Sequence, residues 1–180
     1  MQQRIHTFWF LAAGVITTLI PVFFNGYPFV FSDTGTYISS GFEDTITENY
    51  PITYRLFVKH ISLANSLWLV VLAQAIIVNI LIWYFIKLIT GAANKALNFI
   101  YLSGILFLTA ITSMPWFSGL IMPDIFTPIS FLLLAILLLE PTFNRKKLLW
   151  LIPFLFLYPP PIYQIYFHKF YWCFWLYCKN

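Results

Sequence analysis

Acidic side chains are scarce in this chain and unevenly placed. Of six Asp and Glu residues, Asp33, Glu43, Asp44 and Glu48 fall within one short stretch, and Asp124 stands alone far downstream. Carboxylates can take a proton from a reacting hydroxyl, or hold a hard divalent cation through oxygen. Tyr54, Arg55 and Lys59 follow the first acidic group. With Ser62, the two cations recur at i, i+4 and i+7, which puts them on one face of a helix. Such a pair suits a phosphate, and the arginine fork can bind one through two bonds at once. Each group also has a plainer role. Asp33 suits a helix cap, Glu43 to Glu48 suit a solvated loop, and Arg55 with Lys59 suit cations reaching for lipid headgroups.

The elements that would position these residues are read from hydropathy. Charged residues make up 9% of the chain and hydrophobic ones 61%, against about 25% charged in soluble domains. Too few polar residues are present to coat a water-facing globule, so lipid is the expected solvent. Charge-free runs extend over Thr7 to Phe24, Ile61 to Ile86, Ala96 to Pro123 and Ile125 to Leu139. A helix needs roughly 20 residues to cross a bilayer core of about 30 Å. The expected fold is therefore an all-α membrane protein with about four to five transmembrane helices, at residues 7–24, 61–86, 96–114 and 125–140. A further apolar stretch, Leu148 to Phe167, interrupted by Pro153 and by Pro159, Pro160 and Pro161, is the expected fifth span within residues 148–180, which end in a dense aromatic tail after Tyr158. It suits either a chain cut short or an aromatic segment at headgroup depth. Cys173 and Cys178 have neither zinc nor dithiol spacing.

Basic residues set the expected orientation. Arg4, then Lys87 and Lys95, then Arg145, Lys146 and Lys147 flank alternate ends of the runs, which places those ends and the amino terminus in the cytoplasm. Residues 25–60 and 115–127, which carry five of the six acids, are then external. The net charge of +4 reflects cytoplasmic anchors, and no basic stretch is dense enough for a nucleic-acid partner.

Within the first external loop, Asn25-Gly26-Tyr27-Pro28 predicts a turn. Ser32 to Ile38 predicts a short capped helix, and Pro51 opens an amphipathic helix over Ile52 to Leu63. In the second loop, Pro128 to Glu140 is only about 20 Å of helix. Two arrangements follow: Met122 to Phe126 dips inward with Asp124 below the outer interface, or a longer tilted helix starts near Trp116 and kinks at Pro123. Irregular backbone at such depth survives only against protein or a wet cavity.

These residues resemble a family. An N-in first helix, an Asp motif opening a long external loop (Ser32-Asp33-Thr34-Gly35-Thr36-Tyr37), a Tyr50-Pro51-Ile52-Thr53-Tyr54-Arg55 stretch and a second external Asp124 look like the N-terminal half of a polytopic GT-C-type membrane glycosyltransferase. The resemblance spans roughly residues 1–145. It implies a bacterial inner-membrane enzyme that transfers a sugar from a polyprenyl-phosphate donor on the external face. Asp33 would be the base and Asp124 the second acid, the two able to share Mg²⁺ or Mn²⁺. Arg55 and Lys59, with Tyr54, Glu43 and Asp44 nearby, would hold the donor. Membrane lipids, the lipid-linked donor, partner helices or a missing C-terminal half would be its partners. Two other classes fit the same composition. A transporter would need polar groups at mid-membrane, for which Gln74 and Asn79 are the candidates. A non-catalytic assembly subunit would need only its apolar faces.

Overall fold

The computed structural model describes residues 2–42 and 52–140. Among these the chain is all-helical: α1 (Gln2–Thr18), α2 (Ile20–Asn25), α3 (Thr34–Phe42), α4 (Ile52–Ser62), α5 (Leu67–Thr90), α6 (Asn94–Ile111), α7 (Met114–Gly119), a 3-10 turn (Pro123–Ile125) and α8 (Phe126–Leu139). Glu43, Asp44, Glu48 and residues 141–180, with Arg145, Lys146, Lys147 and both cysteines, lie outside the described residues.

α1 and α2 form one rod with a fault at Leu19, whose amide is shared between the Val15 and Ile16 carbonyls at 3.1 Å each. Pro21 is the cause, because it offers no N–H to the preceding turn. Gly26, in the left-handed region at φ 73°, ends α2. The expected run of 7–24 is therefore a helix with a proline fault inside it.

α5 is the central element. Ser66 caps it, its hydroxyl accepting from the Trp68 amide at 3.3 Å, and Gly91 closes it with φ 57° and an amide donated to the Lys87 carbonyl. Both ends follow ordinary capping chemistry. At 24 residues it is the one helix among the described residues long and apolar enough to cross a membrane. It starts later than the expected Ile61. The chain turns sharply at Leu63 and Ala64, both in the left-handed region at φ 51° and 54°, and this turn separates α4 from α5. α6 ends at Ile111, short of the expected 114, and a new short helix, α7, begins at Met114.

α1 and α6 pack on each other and both pack on α5, while α8 lies on α5 from another side. Polar side chains stitch these contacts. The Asn79 amide donates to Thr18 Oγ1 at 3.0 Å and to the Ala75 carbonyl at 2.8 Å, and the buried Tyr101 hydroxyl donates to Asn79 Oδ1 at 2.6 Å. Nearer the other end, Trp83 Nε1 donates to Asn98 Oδ1 and Asn98 Nδ2 to Thr7 Oγ1. Tyr84 donates its hydroxyl to Glu140 at 2.5 Å. Large apolar side chains point outward around the bundle, among them Trp9 on α1, Phe99 and Phe107 on α6, and Phe131 and Leu138 on α8.

The main apolar core sits at one end of the bundle. Leu19 and Val22, Tyr37 of α3, Tyr54 and Val58 of α4, Val70, Val71 and Ala75 of α5, and Ile121, Ile125, Phe126 and Ile129 form one buried cluster. The short helices of the first loop are thus packed into the protein.

Candidate functional site

At this end of the molecule the two acid-bearing segments are fastened to each other. The Phe29 amide donates to the Gly119 carbonyl at 2.9 Å, and the Ile121 amide donates to the Phe29 carbonyl at 3.0 Å, a short parallel bridge between Phe29 and Leu120. The Thr34 hydroxyl accepts from the Phe31 amide at 2.9 Å and donates to the Ile121 carbonyl at 3.0 Å. Asp33 precedes this threonine, and Asp124 follows Ile121 by one short turn. Gly119 has to be glycine here, because a Cβ would overlap Val22 and stand 3.1 Å from the Phe29 ring.

The stretch between α7 and α8 is extended at Leu120 and Met122 before the 3-10 turn. A continuous helix from Trp116 is not formed. The break is held from outside: besides the bridge to Phe29 and the bond from Thr34, Gln74 Nε2 of α5 donates to the Leu120 carbonyl at 3.3 Å. Three elements thus supply the partners that an unwound backbone needs away from water.

Neither aspartate is used to hold the fold. Asp33 is half-buried, and among the described residues its carboxylate accepts only from the neighbouring Ser32 hydroxyl, at 3.3 Å. It makes no hydrogen bond to the amides at the start of α3. The local role there falls to the Thr34 hydroxyl and to the Asp33 main-chain carbonyl, which accepts from the Tyr37 amide at 3.1 Å. Asp124 is exposed, and its carboxylate has no hydrogen bond or ion pair among the described residues. Such carboxylates remain able to accept a proton or an oxygen-seeking cation.

The face of α4 that carries the cations turns inward. Arg55 is only 4% exposed and Ser62 is buried, Lys59 is half-buried, and Leu56 and His60 point out. The reason is α3, which packs along α4 and draws that side under cover. Arg55 and Lys59 are engaged within the protein. Burial pulls the Arg55 guanidinium below its ordinary pKa, and the neighbouring Tyr37 opposes the shift. Tyr54 is wholly enclosed. Burial first, then Tyr37 and Asp124, hold its hydroxyl well above the usual tyrosine range, partly offset by the Gln74 side chain. The Tyr54 hydroxyl lies against that amide but outside hydrogen-bond geometry, and Gln74 Oε1 likewise has no partner among the described residues. A cavity of about 280 Å³ opens beside this cluster, between Ile38 and Phe42 of α3 and the strained turn at Ala64 to Leu67.

No family model, curated protein or solved structure matches this chain.

Asp33, Tyr54, Arg55, Lys59 and Asp124 are thus placed on segments that share one end of the bundle. Glu43 and Asp44 lie outside the described residues. Among the described residues no group of three or more His, Cys, Asp and Glu side chains gathers as a ready metal cage. Tyr37 and Phe126 belong to the same buried cluster, and Thr34 and Gln74 bond to the Ile121 and Leu120 carbonyls beside it; Thr34 and Tyr37 stand in the Asp33 motif without a role of their own, and Phe126 in no motif. Gln74 carried a signal, an amide in an apolar run, but its partner is a main-chain carbonyl and leaves no mark in the sequence. Asn79, the other mid-run amide, is committed to Thr18 and Tyr101.

Proposed function

We propose that this chain is a multi-pass membrane protein of the GT-C glycosyltransferase type, which uses a sugar carried on a polyprenyl phosphate at an external site built on Asp33 and Asp124. The observation that carries the proposal is that two segments distant in sequence are fastened together by Phe29, Thr34, Gly119 and Ile121, while among the described residues the Asp33 carboxylate accepts only from the adjacent Ser32 hydroxyl and the Asp124 carboxylate has no hydrogen bond. Support for several spans comes from the outward Trp9, Phe99, Phe107, Phe131 and Leu138, which suit lipid and would be costly in water. The α1–α2 rod, α5, α6 and α8 are the spans, and the amino terminus is cytoplasmic by the positive-inside rule.

In this reading Asp33 takes the proton of the acceptor hydroxyl as it attacks the sugar carbon, and Arg55 and Lys59 stabilise charge on the departing lipid phosphate. Arg55 is enclosed, so the phosphate meets it from within the α3–α4 groove, where a guanidinium away from bulk water attracts an anion more strongly. Asp33 and Asp124 are hard oxygen donors of the kind that Mg²⁺ or Mn²⁺ takes along with water and phosphate, and a bound ion would neutralise phosphate charge.

The test is transfer and binding in nanodiscs with a polyprenyl-phosphate sugar. Asp33→Asn should lower transfer by about 10²–10⁴-fold while donor binding persists, and Arg55→Ala should weaken donor binding, with lysine rescuing only part. Full transfer by Asp33→Asn would return Asp33 to a structural role. Unchanged donor affinity in Arg55→Ala would remove the phosphate from α4. A cysteine at Ser39 that is labelled only from the cytoplasmic side would reverse the topology and remove the external site.

A further inference from the structure

Tyr54 is the polar residue of this cluster that the proposed chemistry leaves without a task. It is wholly buried, so it cannot meet a substrate at the surface. Its ring stands edge-on to Tyr37, with centroids 5.3 Å apart and planes at 86°, and edge-on to Phe126 at 6.0 Å and 65°. Phe57 stacks beside it at 6.0 Å and is itself edge-on to Phe126 at 5.2 Å. The outer members of this row are bound directly to the two acidic turns. The Tyr37 amide donates to the Asp33 carbonyl at 3.1 Å, and the Phe126 amide donates to the Asp124 carbonyl.

A second connection between the aspartates therefore runs through side chains, from the Asp33 turn to Tyr37, Tyr54, Phe126 and the Asp124 turn. It is separate from the main-chain bridge through Phe29. A flat ring in an edge-on row has a fixed thickness and few rotamers, so it acts as a spacer in a way that a flexible aliphatic side chain cannot. The hydroxyl adds no hydrogen bond to that spacing among the described residues.

We infer that Tyr54 is the positioning residue of the site: its ring, held between Tyr37 and Phe126, sets the separation and orientation of Asp33 and Asp124. The inference rests on the reading of these two aspartates as a shared site, but the geometry can be measured without any transfer activity. Spin labels placed at Ser32→Cys and Thr127→Cys, which leave both aspartates in place, in a chain with Cys173 and Cys178 replaced by serine, report the separation in nanodiscs. A second pair at Ile16→Cys and Phe107→Cys, on α1 and α6, reports the bundle.

Tyr54→Phe should keep the narrow separation of the parent chain. Tyr54→Leu should broaden it while the α1–α6 pair stays unchanged. A narrow separation in Tyr54→Leu overturns the inference, as does a broadening in Tyr54→Phe equal to that in Tyr54→Leu, which would give the role to the hydroxyl. If Tyr54→Leu also disturbs the α1–α6 pair, Phe126→Leu tests the same row from its other side, and an unchanged separation there overturns it. Where transfer is measurable, Tyr54→Leu should lower kcat by about a hundredfold, as small misplacements of reacting groups do, with donor KM little changed and phenylalanine restoring the rate. A separation that responds as expected in a chain with no transfer or donor binding leaves the positioning role intact and removes the glycosyltransferase reading.

Discussion

Gly14 is the tightest crossing in the bundle, and replacing it with alanine is the most direct test of how α1, α5 and α6 are held. A Cβ at this position would overlap the Tyr101 hydroxyl oxygen, stand 2.7 Å from Asn79 Oδ1 and lie 2.8 Å from Tyr101 Cζ. Those atoms are the two ends of the 2.6 Å hydrogen bond that joins α6 to α5, and both side chains are fully buried. No flexible side-chain tip is available to move, so the methyl group has to displace the tyrosine or separate the helices. Overpacking of this kind costs about 1–3 kcal/mol. Losing the Tyr101 bond adds about 0.5–1.5 kcal/mol, the usual net contribution of an intramolecular hydrogen bond. Alanine returns about 1 kcal/mol of helix propensity relative to glycine. The net expectation is a loss of about 2 kcal/mol, measured by reversible unfolding in mixed micelles. Tyr101→Phe supplies the partner for a double-mutant cycle: it removes the overlapping oxygen, so the double variant should be more stable than the sum of the singles by about 1 kcal/mol. A Gly14→Ala chain within about 0.5 kcal/mol of the parent, or singles that simply add, would refute the crossing as described.

Thr34→Val removes both the bond to the Ile121 carbonyl and the acceptor for the Phe31 amide, and should cost about 2 kcal/mol in the same unfolding assay, with serine recovering most of it. Ala64→Gly should stabilise the chain by about 0.5–1 kcal/mol, because relief of a left-handed residue at φ 54° outweighs the extra unfolded-state freedom of glycine. Stability should also fall in alkali. The Tyr54 hydroxyl is held above its unfolded value, so its contribution is intact below about pH 10 and declines by about 1.4 kcal/mol per pH unit as pH rises beyond that. Subtracting the pH profile of Tyr54→Phe from that of the parent chain isolates this slope, and parallel profiles would contradict it.

Helices with a polar side were legible in the sequence. The amphipathic stretch expected over Ile52 to Leu63 is α4 at Ile52–Ser62, and the helix expected from Ser32 is α3 from Thr34. The shortness of the last apolar run was also legible, because Pro128 and Glu140 bracket it closely; α8 spans Phe126–Leu139. Helices that are apolar all round conceal their packing face. On α5, Val71 is buried and Leu72 exposed, two aliphatic neighbours that hydropathy does not distinguish. The crossing at Gly14 is equally silent, since what makes it necessary is a tyrosine from α6. For α4 the spacing of Arg55, Lys59 and Ser62 located a common face, but its direction is set by α3, and the expectation of cations reaching outward does not hold for the buried Arg55.

The break between α7 and α8 bears most on where the site lies. An unwound stretch in water satisfies its amides and carbonyls with solvent and needs nothing from its neighbours. Here the Gly119 carbonyl, the Ile121 amide and carbonyl and the Leu120 carbonyl all find partners on Phe29, Thr34 and Gln74. Gln74 is the most telling of these, because it sits two turns inside α5 from Ser66, on the helix best suited to cross a bilayer. A bond from that depth to Leu120 draws the break down toward the apolar part of the bundle. Asp124 follows immediately, beside the enclosed Tyr54. A carboxylate at such a level is unfavourable unless it faces water or a charged ligand. Since Asp124 is exposed rather than enclosed, the surface it faces on the membrane reading proposed above has to be a wet one, open to the external side and shared with the Asp33 turn to which Ile121 is tied.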